Sequence, residues 1–215
     1  MGWREKVFSD FQLYAVTDLQ LEGIEGLRKI EQAYRGGADI VQLRSKKLSD
    51  AALIRLGLKT REIAEKFRKL YFMNDRVDLA LVTGADGVHL GQDDMPVRMA
   101  RMMVAQAGKK LWIGKSTHSL MQALAAVKEK VDYIGVGPVF TTPTKPHAKS
   151  VGLEFVKQAA ARIRIPWVAI GGIDRGNIAG VTGAGATRVA VVRAIFAEKD
   201  PASAALELKL QLERI

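Results

Sequence analysis

Gly37-Ala38-Asp39-Ile40 ends an amphipathic segment and starts an apolar run. The same hinge returns at Gly84-Ala85-Asp86-Gly87, Val131-Asp132-Tyr133-Ile134 and Gly185-Ala186-Thr187-Arg188. These recurrences lie about 50 residues apart, the length of two strand–helix units. Working outward from them, short apolar runs at 13–16, 40–43, 70–73, 87–90, 111–114, 133–136, 167–170 and 188–192 alternate with amphipathic segments. Ser49 and Asp50 offer an N-cap to the long helix that ends near Lys69, and Pro96 suits a first helical turn. Strands that alternate with helices pair in parallel, because each crossover returns the chain to the same edge. The pattern predicts eight strands and eight helices in strict alternation, an α/β chain folded as a single (β/α)8 TIM barrel over residues 1–215. A doubly wound open sheet is the alternative. It would more often carry a glycine-rich fingerprint after the first strand, where Thr17-Asp18 stands here.

Composition narrows the function classes. With 215 residues, 48% of them apolar, the chain can bury a substantial core, and with no cysteine it has neither disulfides nor thiolate metal sites. Residues 1–10 lack the long apolar stretch of a signal peptide, and no run approaches the roughly 18 apolar residues of a membrane span. A cytoplasmic protein without a membrane partner is expected. The net charge of +10 favours anionic partners. Much of the excess lies between Arg55 and Lys69, spread around a helix rather than gathered on one face. A solvated helix exterior accounts for it better than a nucleic-acid footprint does.

In a barrel the active site gathers at the C-terminal strand ends. There the sequence places Thr17 and Asp18; Gln42, Arg44 and Lys46; Asn74 and Asp75; His89, Gln92, Asp93 and Asp94; Lys115, Ser116 and His118; Gly171-Gly172; and Val192-Arg193. The sixth strand runs into G-V-G-P-V-F-T-T-P-T-K (135–145), where Thr141, Thr142, Thr144 and Lys145 offer donors beside two prolines that restrict the backbone. Such a density of donors suits an anion. Arg44, Lys46 and Lys145 form a candidate cradle for a di- or polyphosphate. Asp75 and Asp94 on adjacent strand ends suit Mg²⁺, which binds through one or two carboxylates plus phosphate oxygens and water. Each aspartate could instead cap the helix that follows it. Gly171-Gly172 suggests a second anion site, or only a tight turn. His89 reads as a satisfied core histidine, while His118 could touch substrate and His147 sits in a loop. The three histidines give no zinc logic, and Ser116 lacks the elbow motif of a hydrolytic triad.

Ordered blocks then carry a resemblance. L-Y-A-V-T-D (13–18), V-Q-L-R-S-K (41–46), M-N-D-R-V-D-L-A (73–80), G-V-H-L-G-Q-D-D (87–94), I-G-K-S-T-H (113–118), G-P-V-F-T-T-P-T-K (137–145) and A-I-G-G-I (169–173) resemble the thiamine-phosphate synthase family from Leu13 to about Phe196. The resemblance implies Mg²⁺-dependent coupling of a pyrimidine diphosphate to a thiazole phosphate, with pyrophosphate released by dissociative substitution. It implies that Gln42, Leu43, Arg44, Ser45, Lys46, Asn74, Ser116 and Lys145 hold the diphosphate. Thr142, Pro143, Thr144, Gly172, Val192 and Arg193 would hold the thiazole phosphate. Catalytic work would fall to Arg44, Lys46, Lys145 and Ser116, with Asp75 and Asp94 as metal ligands. Arg193 departs from the family pattern, in which serine is frequent. Two alternatives stay open: a thiazole tautomerase that uses His118, and a non-catalytic phosphate-binding barrel.

Overall fold

A computed structural model describes residues 1–17, 23–143 and 149–214. Its described elements are α1 (Trp3–Asp10), β1 (Leu13–Val16), α2 (Gly23–Arg35), β2 (Ile40–Leu43), α3 (Asp50–Phe67), β3 (Leu70–Asn74), α4 (Val77–Thr83), β4 (Gly87–Leu90) and α5 (Val97–Gln106). There follow β5 (Trp112–Thr117), α6 (Leu120–Lys128), β6 (Tyr133–Val136), α7 (Gly152–Arg162), β7 (Trp167–Ile170), α8 (Ile178–Gly183), β8 (Val189–Val191), α9 (Arg193–Phe196) and α10 (Pro201–Leu212). The eight strands pair in parallel and in chain order, and β1 closes on β8, so the expected barrel is observed. Strict alternation fails at two places. α1 precedes the first strand, and the single turn of α9 stands between β8 and α10. At four residues, α9 is too short for the period of 3.6 to register in sequence.

The strands read as continuous apolar runs because both faces are buried. Tyr14, Val16, Ile40, Phe72, Tyr133, Val168 and Ala190 fill the barrel, and their sequence neighbours Ala15, Val41, Met73, Ile134, Ala169 and Val191 face the helices. Ser49 caps α3 by accepting from Ala52 N, and Ser119 caps α6 by accepting from Gln122 N. α1 closes the N-terminal mouth, with Phe8 stacked on Trp112 at 4.4 Å between ring centroids. The interior aromatics need small neighbours. A Cβ built on Gly114 would lie 2.2 Å from the Tyr133 ring, and one on Gly87 would lie 2.6 Å from Phe72. Gly114→Ala is therefore expected to cost about 1–3 kcal/mol through overpacking, read as a lower urea midpoint at unchanged m-value.

The recurring hinge has a single physical role. Gly37, Gly84, Lys130 and Gly185 all take positive φ, and the next residue donates back five positions, as in Ala38 N to Ala33 O and Ala85 N to Ala80 O. That is a left-handed helix stop. The aspartate that follows braces the preceding strand. Asp39 Oδ2 accepts from Leu13 N at 3.1 Å, Asp86 Oδ2 from Tyr71 N at 2.9 Å and Asp132 Oδ2 from Ile113 N at 2.6 Å. Each brace also meets cations: Lys69 and Lys209 at Asp39, Arg61 and Arg4 at Asp86, and Arg101 at Asp132. The period is two units because each even strand braces the odd strand before it. In the fourth copy Thr187 replaces the aspartate, so no carboxylate stands there to brace β7. Several cations of α3 are spent in pairs as well, including Lys59 with Glu62 and Lys66 with Glu31.

Candidate active site at the C-terminal mouth of the barrel

The opposite mouth opens into a cavity of about 390 Å³. Its floor is the last interior layer of the barrel, with Tyr14, His89, Gly135 and Ala190 among its residues. Around the rim stand Gln42, Arg44, Asn74, Ser116 and His118 on one side, and Thr142, Pro143, Gly172, Val192 and Arg193 on the other. That volume lies within the range of small-molecule sites.

On the β2–β3 side, the strand stops at Leu43, one residue short of Arg44. Arg44 is nonetheless buried, because the Thr17 hydroxyl accepts from its N–H at 2.8 Å and donates to its carbonyl at 3.0 Å. Burial lowers the pKa of the Arg44 guanidinium, and the charge of Asp75 opposes that shift. Lys46 lies exposed beyond the strand end, outside the cavity lining, yet close enough to Asp75 to act on its titration. Leu43 points outward into the core between strands and helices, and the Ser45 hydroxyl is taken by the N–H groups of Lys47 and Leu48. Those two residues do not face the cavity, so Leu43 could serve a ligand only through its backbone.

Asp75 and Asp94 do come together. Neither caps a helix: the N-caps of α4 and α5 are Arg76 and Pro96. Asp94 Oδ2 instead accepts from Gly91 N at 2.6 Å. Asp75 holds a left-handed backbone (φ 59°) and its N–H bonds the His89 carbonyl at 2.8 Å. Burial first, and then the Asp94 carboxylate beside it, push the Asp75 carboxyl up to about 6, against the opposing charge of Lys46. A half-buried carboxylate raised by a second carboxylate beside it fits a divalent cation, which would offset the repulsion. No cluster of three His, Cys, Asp or Glu groups occurs among the described residues, so a metal here needs ligand oxygens to complete its shell.

On the other side, Gly171 and Gly172 take φ of 105° and 65°. A Cβ would lie 2.5 Å from Pro138 on the first and 2.7 Å from the Thr141 carbonyl oxygen on the second, so this pair is needed for the loop after β6 to pack on the loop after β7. Phe140 N bonds the Gly171 carbonyl at 3.0 Å, and Asn177 Nδ2 bonds that of Gly172 at 2.8 Å. Val192 is the N-cap of α9, whose first residue is Arg193. A loop after β7 and a short extra helix after β8 are the usual components of a barrel phosphate site. Asp18, Thr144, Lys145 and His147 lie outside the described residues.

His89, expected to be a satisfied core histidine, is satisfied on both ring nitrogens and also reaches the cavity. His89 lines the cavity with its ring nitrogens 2.9 Å from Tyr133 Oη and 2.9 Å from Ser116 Oγ. Tyr14 and Tyr133 complete the same group. The available signal was parity: His89 shares its face of β4 with Gly87, which packs against the interior ring of Phe72. Conversely Lys115, gathered as a strand-end cation, faces outward and pairs with Glu129 at 2.8 Å.

Known proteins resemble this chain over most of its length. A family model described as thiamine monophosphate synthase matches residues 13–195. The thiamine-phosphate synthase of Gloeobacter violaceus is 47% identical over 190 residues, which cover 88% of this chain and 54% of that protein. That of Chloroflexus aurantiacus is 45% identical over 202 residues, covering 93% and 92%. The chain thus spans about half the length of the first curated relatives it matches. Among solved structures, a thiamine phosphate pyrophosphorylase from Pyrococcus furiosus superposes with a TM-score of 0.87 at 35% identity, covering 95% of this chain and 96% of that one. A 3-hexulose-6-phosphate synthase at 20% identity and TM-score 0.66 shares the fold alone. The match runs from the first strand into the short helix after the last, so all eight strands of the barrel lie within it, and the chain belongs to the thiamine monophosphate synthase family.

Proposed function

We propose that the cavity joins a pyrimidine carrying a methylene diphosphate to a thiazole carrying a phosphate, giving thiamine phosphate and pyrophosphate. The observation that carries this reading is one cavity with two unlike polar ends. Arg44 and Asn74 line one end, with the Asp75–Asp94 pair just outside the lining and the Asp75 charge acting on Arg44, and Gly172, Val192 and Arg193 line the other. Between them Val168, Ile170 and Ala190 give the cavity an apolar surface beside Tyr14 and His89, which suits two rings side by side.

On this reading the C–O bond to the diphosphate breaks first and the diphosphate leaves with the electron pair. The pyrimidine methylene cation is then attacked by the lone pair of the thiazole nitrogen, and the C–N bond forms. Gln42, Asn74 and Ser116 orient the pyrimidine diphosphate, and Arg44, Lys46 and Lys145 offset the charge that develops on the leaving group. Thr142, Pro143 and Thr144, with Gly172, Val192 and Arg193, hold the thiazole phosphate. Asp75 and Asp94 are the residues that would hold Mg²⁺, whose bound charge supplies further neutralisation of the diphosphate. The protein's main contribution is to hold the two rings in contact and to keep water from the cation. Its partners are then small phosphorylated substrates, and it works as a single catalytic domain in the cytoplasm. No described helix is long and apolar enough to cross a membrane.

Pyrophosphate release with both substrates, with and without Mg²⁺, tests the reading. Release that needs all three supports it. No release from folded protein with verified substrates would overturn it and turn attention to His118. The Nδ1 of His118 donates to the Gly137 carbonyl at 2.5 Å, which leaves Nε2 as the acceptor that a tautomerase would need.

A further inference from the structure

We propose that Tyr133 and Tyr14 are positioning residues: they set which nitrogen of His89 carries the proton and thereby commit Ser116 to donate its hydroxyl hydrogen to the ligand. The inference rests on the synthase reading only for the identity of that ligand.

The groups form one continuous chain across the barrel floor. Gln42 Nε2 donates to Tyr14 Oη at 2.8 Å, Tyr14 Oη lies 2.9 Å from Tyr133 Oη, Tyr133 Oη lies 2.9 Å from His89 Nδ1, and His89 Nε2 lies 2.9 Å from Ser116 Oγ. The direction of donation follows from its first member. Tyr14 accepts from the Gln42 amide, so its own hydrogen goes to Tyr133. Tyr133 in turn has one hydrogen left, and it goes to His89 Nδ1. With Nδ1 accepting, the neutral imidazole carries its proton on Nε2 and donates to Ser116 Oγ. The serine oxygen is then engaged as an acceptor, and its hydrogen is free for the cavity that Ser116 lines.

Burial holds both phenols well above their ordinary pKa, so they remain O–H groups throughout the working range. Reversing the chain would require Gln42 to turn its amide oxygen toward Tyr14. The consequence for recognition is specific. Ser116 presents a donor and so favours a lone-pair acceptor, such as a phosphate oxygen or a ring nitrogen, over an N–H. A fixed network of this kind also removes the reorientation that a freely rotating hydroxyl would need when the ligand arrives.

The test is long-range ¹⁵N–¹H correlation of histidine side chains in the ligand-free, full-length protein, with the His89 signals identified by their loss in His89→Gln. His89 is expected to carry its proton on Nε2. His118 serves as the internal contrast with its proton on Nδ1, because the Gly137 carbonyl can only accept. In Tyr133→Phe the donor to Nδ1 is gone. The His89 tautomers should mix, and kcat should fall about tenfold while KM for the pyrimidine diphosphate changes less than about twofold. A wild-type His89 with a proton on Nδ1, or a Tyr133→Phe spectrum with unshifted His89 signals, overturns the proposal. The wild-type spectrum decides the matter even if the variant fails to fold. Because the tautomer is read without substrate, absence of turnover in the wild type would count against the synthase reading and leave this test intact.

Discussion

Asp75→Asn is expected to lower turnover on the order of 10²–10³-fold, the usual cost of losing one electrostatic stabiliser of a developing charge, while making the metal-free fold more stable. The two effects have opposite sign for one reason. The Asp75 carboxyl is pushed up to about 6 by burial and by Asp94 alongside it. A folded-state value above the unfolded one, about 3.9, means that the native protein binds the proton more tightly. Its stability from this group is fully present below pH 4, declines as pH rises through about 6 and is absent once the Asp75 carboxyl is ionised. Asparagine removes the repulsion and tolerates the left-handed backbone of this position better than most residues do. After allowance for solvent screening of a half-buried group, the gain at pH 7.5 should be about 1–2 kcal/mol. Urea denaturation of the metal-free protein at pH 7.5 and pH 4.5 measures it, and the gain should shrink at the lower pH. In wild type, saturating Mg²⁺ should recover that stability, whereas the variant should respond weakly. Unchanged turnover would remove Asp75 from the metal site. A destabilised variant would show that the pair is not a source of strain.

The barrel was legible because its determinants are local and repeated. The left-handed stops at Gly37, Gly84 and Gly185, the apolar runs between them and the serine caps of α3 and α6 are each written in a few adjacent residues. The exceptions depend on tertiary context. α1 is held by stacking of Phe8 on Trp112, more than 100 residues away in sequence, and α9 is a single turn. Of the site, the residues that end strands could be gathered by position, and the structure brings Gln42, Arg44, Asn74, Ser116, Thr142, Gly172 and Val192 around one cavity. What position cannot reveal is orientation. Lys115 turns outward to Glu129, and Ser45 turns back on its own loop. His89 looks like core because Val88 and Leu90 flank it, yet those neighbours face the helices and the histidine faces the barrel interior. The tyrosines at 14 and 133 belong to apolar strands for the same reason, and only closure of the barrel brings their hydroxyls to 2.9 Å.

Asp39→Asn should be the most damaging substitution at the opposite mouth, costing about 3–5 kcal/mol at neutral pH with the site itself untouched. Asp39 Oδ2 accepts from Gln12 N at 2.9 Å, Leu13 N at 3.1 Å and Lys209 Nζ at 2.8 Å, and Oδ1 accepts from Lys69 at 2.5 Å. One carboxylate therefore ties the entry to β1, the start of β2, the approach to β3 and the last helix. The amide of asparagine keeps the shape but presents a donor to this set of donors, and it leaves two ammonium groups unpaired beside a buried position. Burial alone would raise the Asp39 carboxyl, but Lys69, the Gln12 N–H and Lys209 outweigh it and hold the group below the usual range. The sign of the pH dependence follows. For an acid depressed in the folded state, the stabilisation is complete above the unfolded value of about 3.9 and disappears as pH falls through the lower folded value. The gap between wild type and Asp39→Asn, measured by urea denaturation, should be full at pH 7 and should narrow below pH 4. A gap of equal size at both pH values would assign the brace to shape rather than charge. Because the same carboxylate–cation brace recurs at Asp86 and Asp132, that result would apply to the whole repeat that closes the barrel.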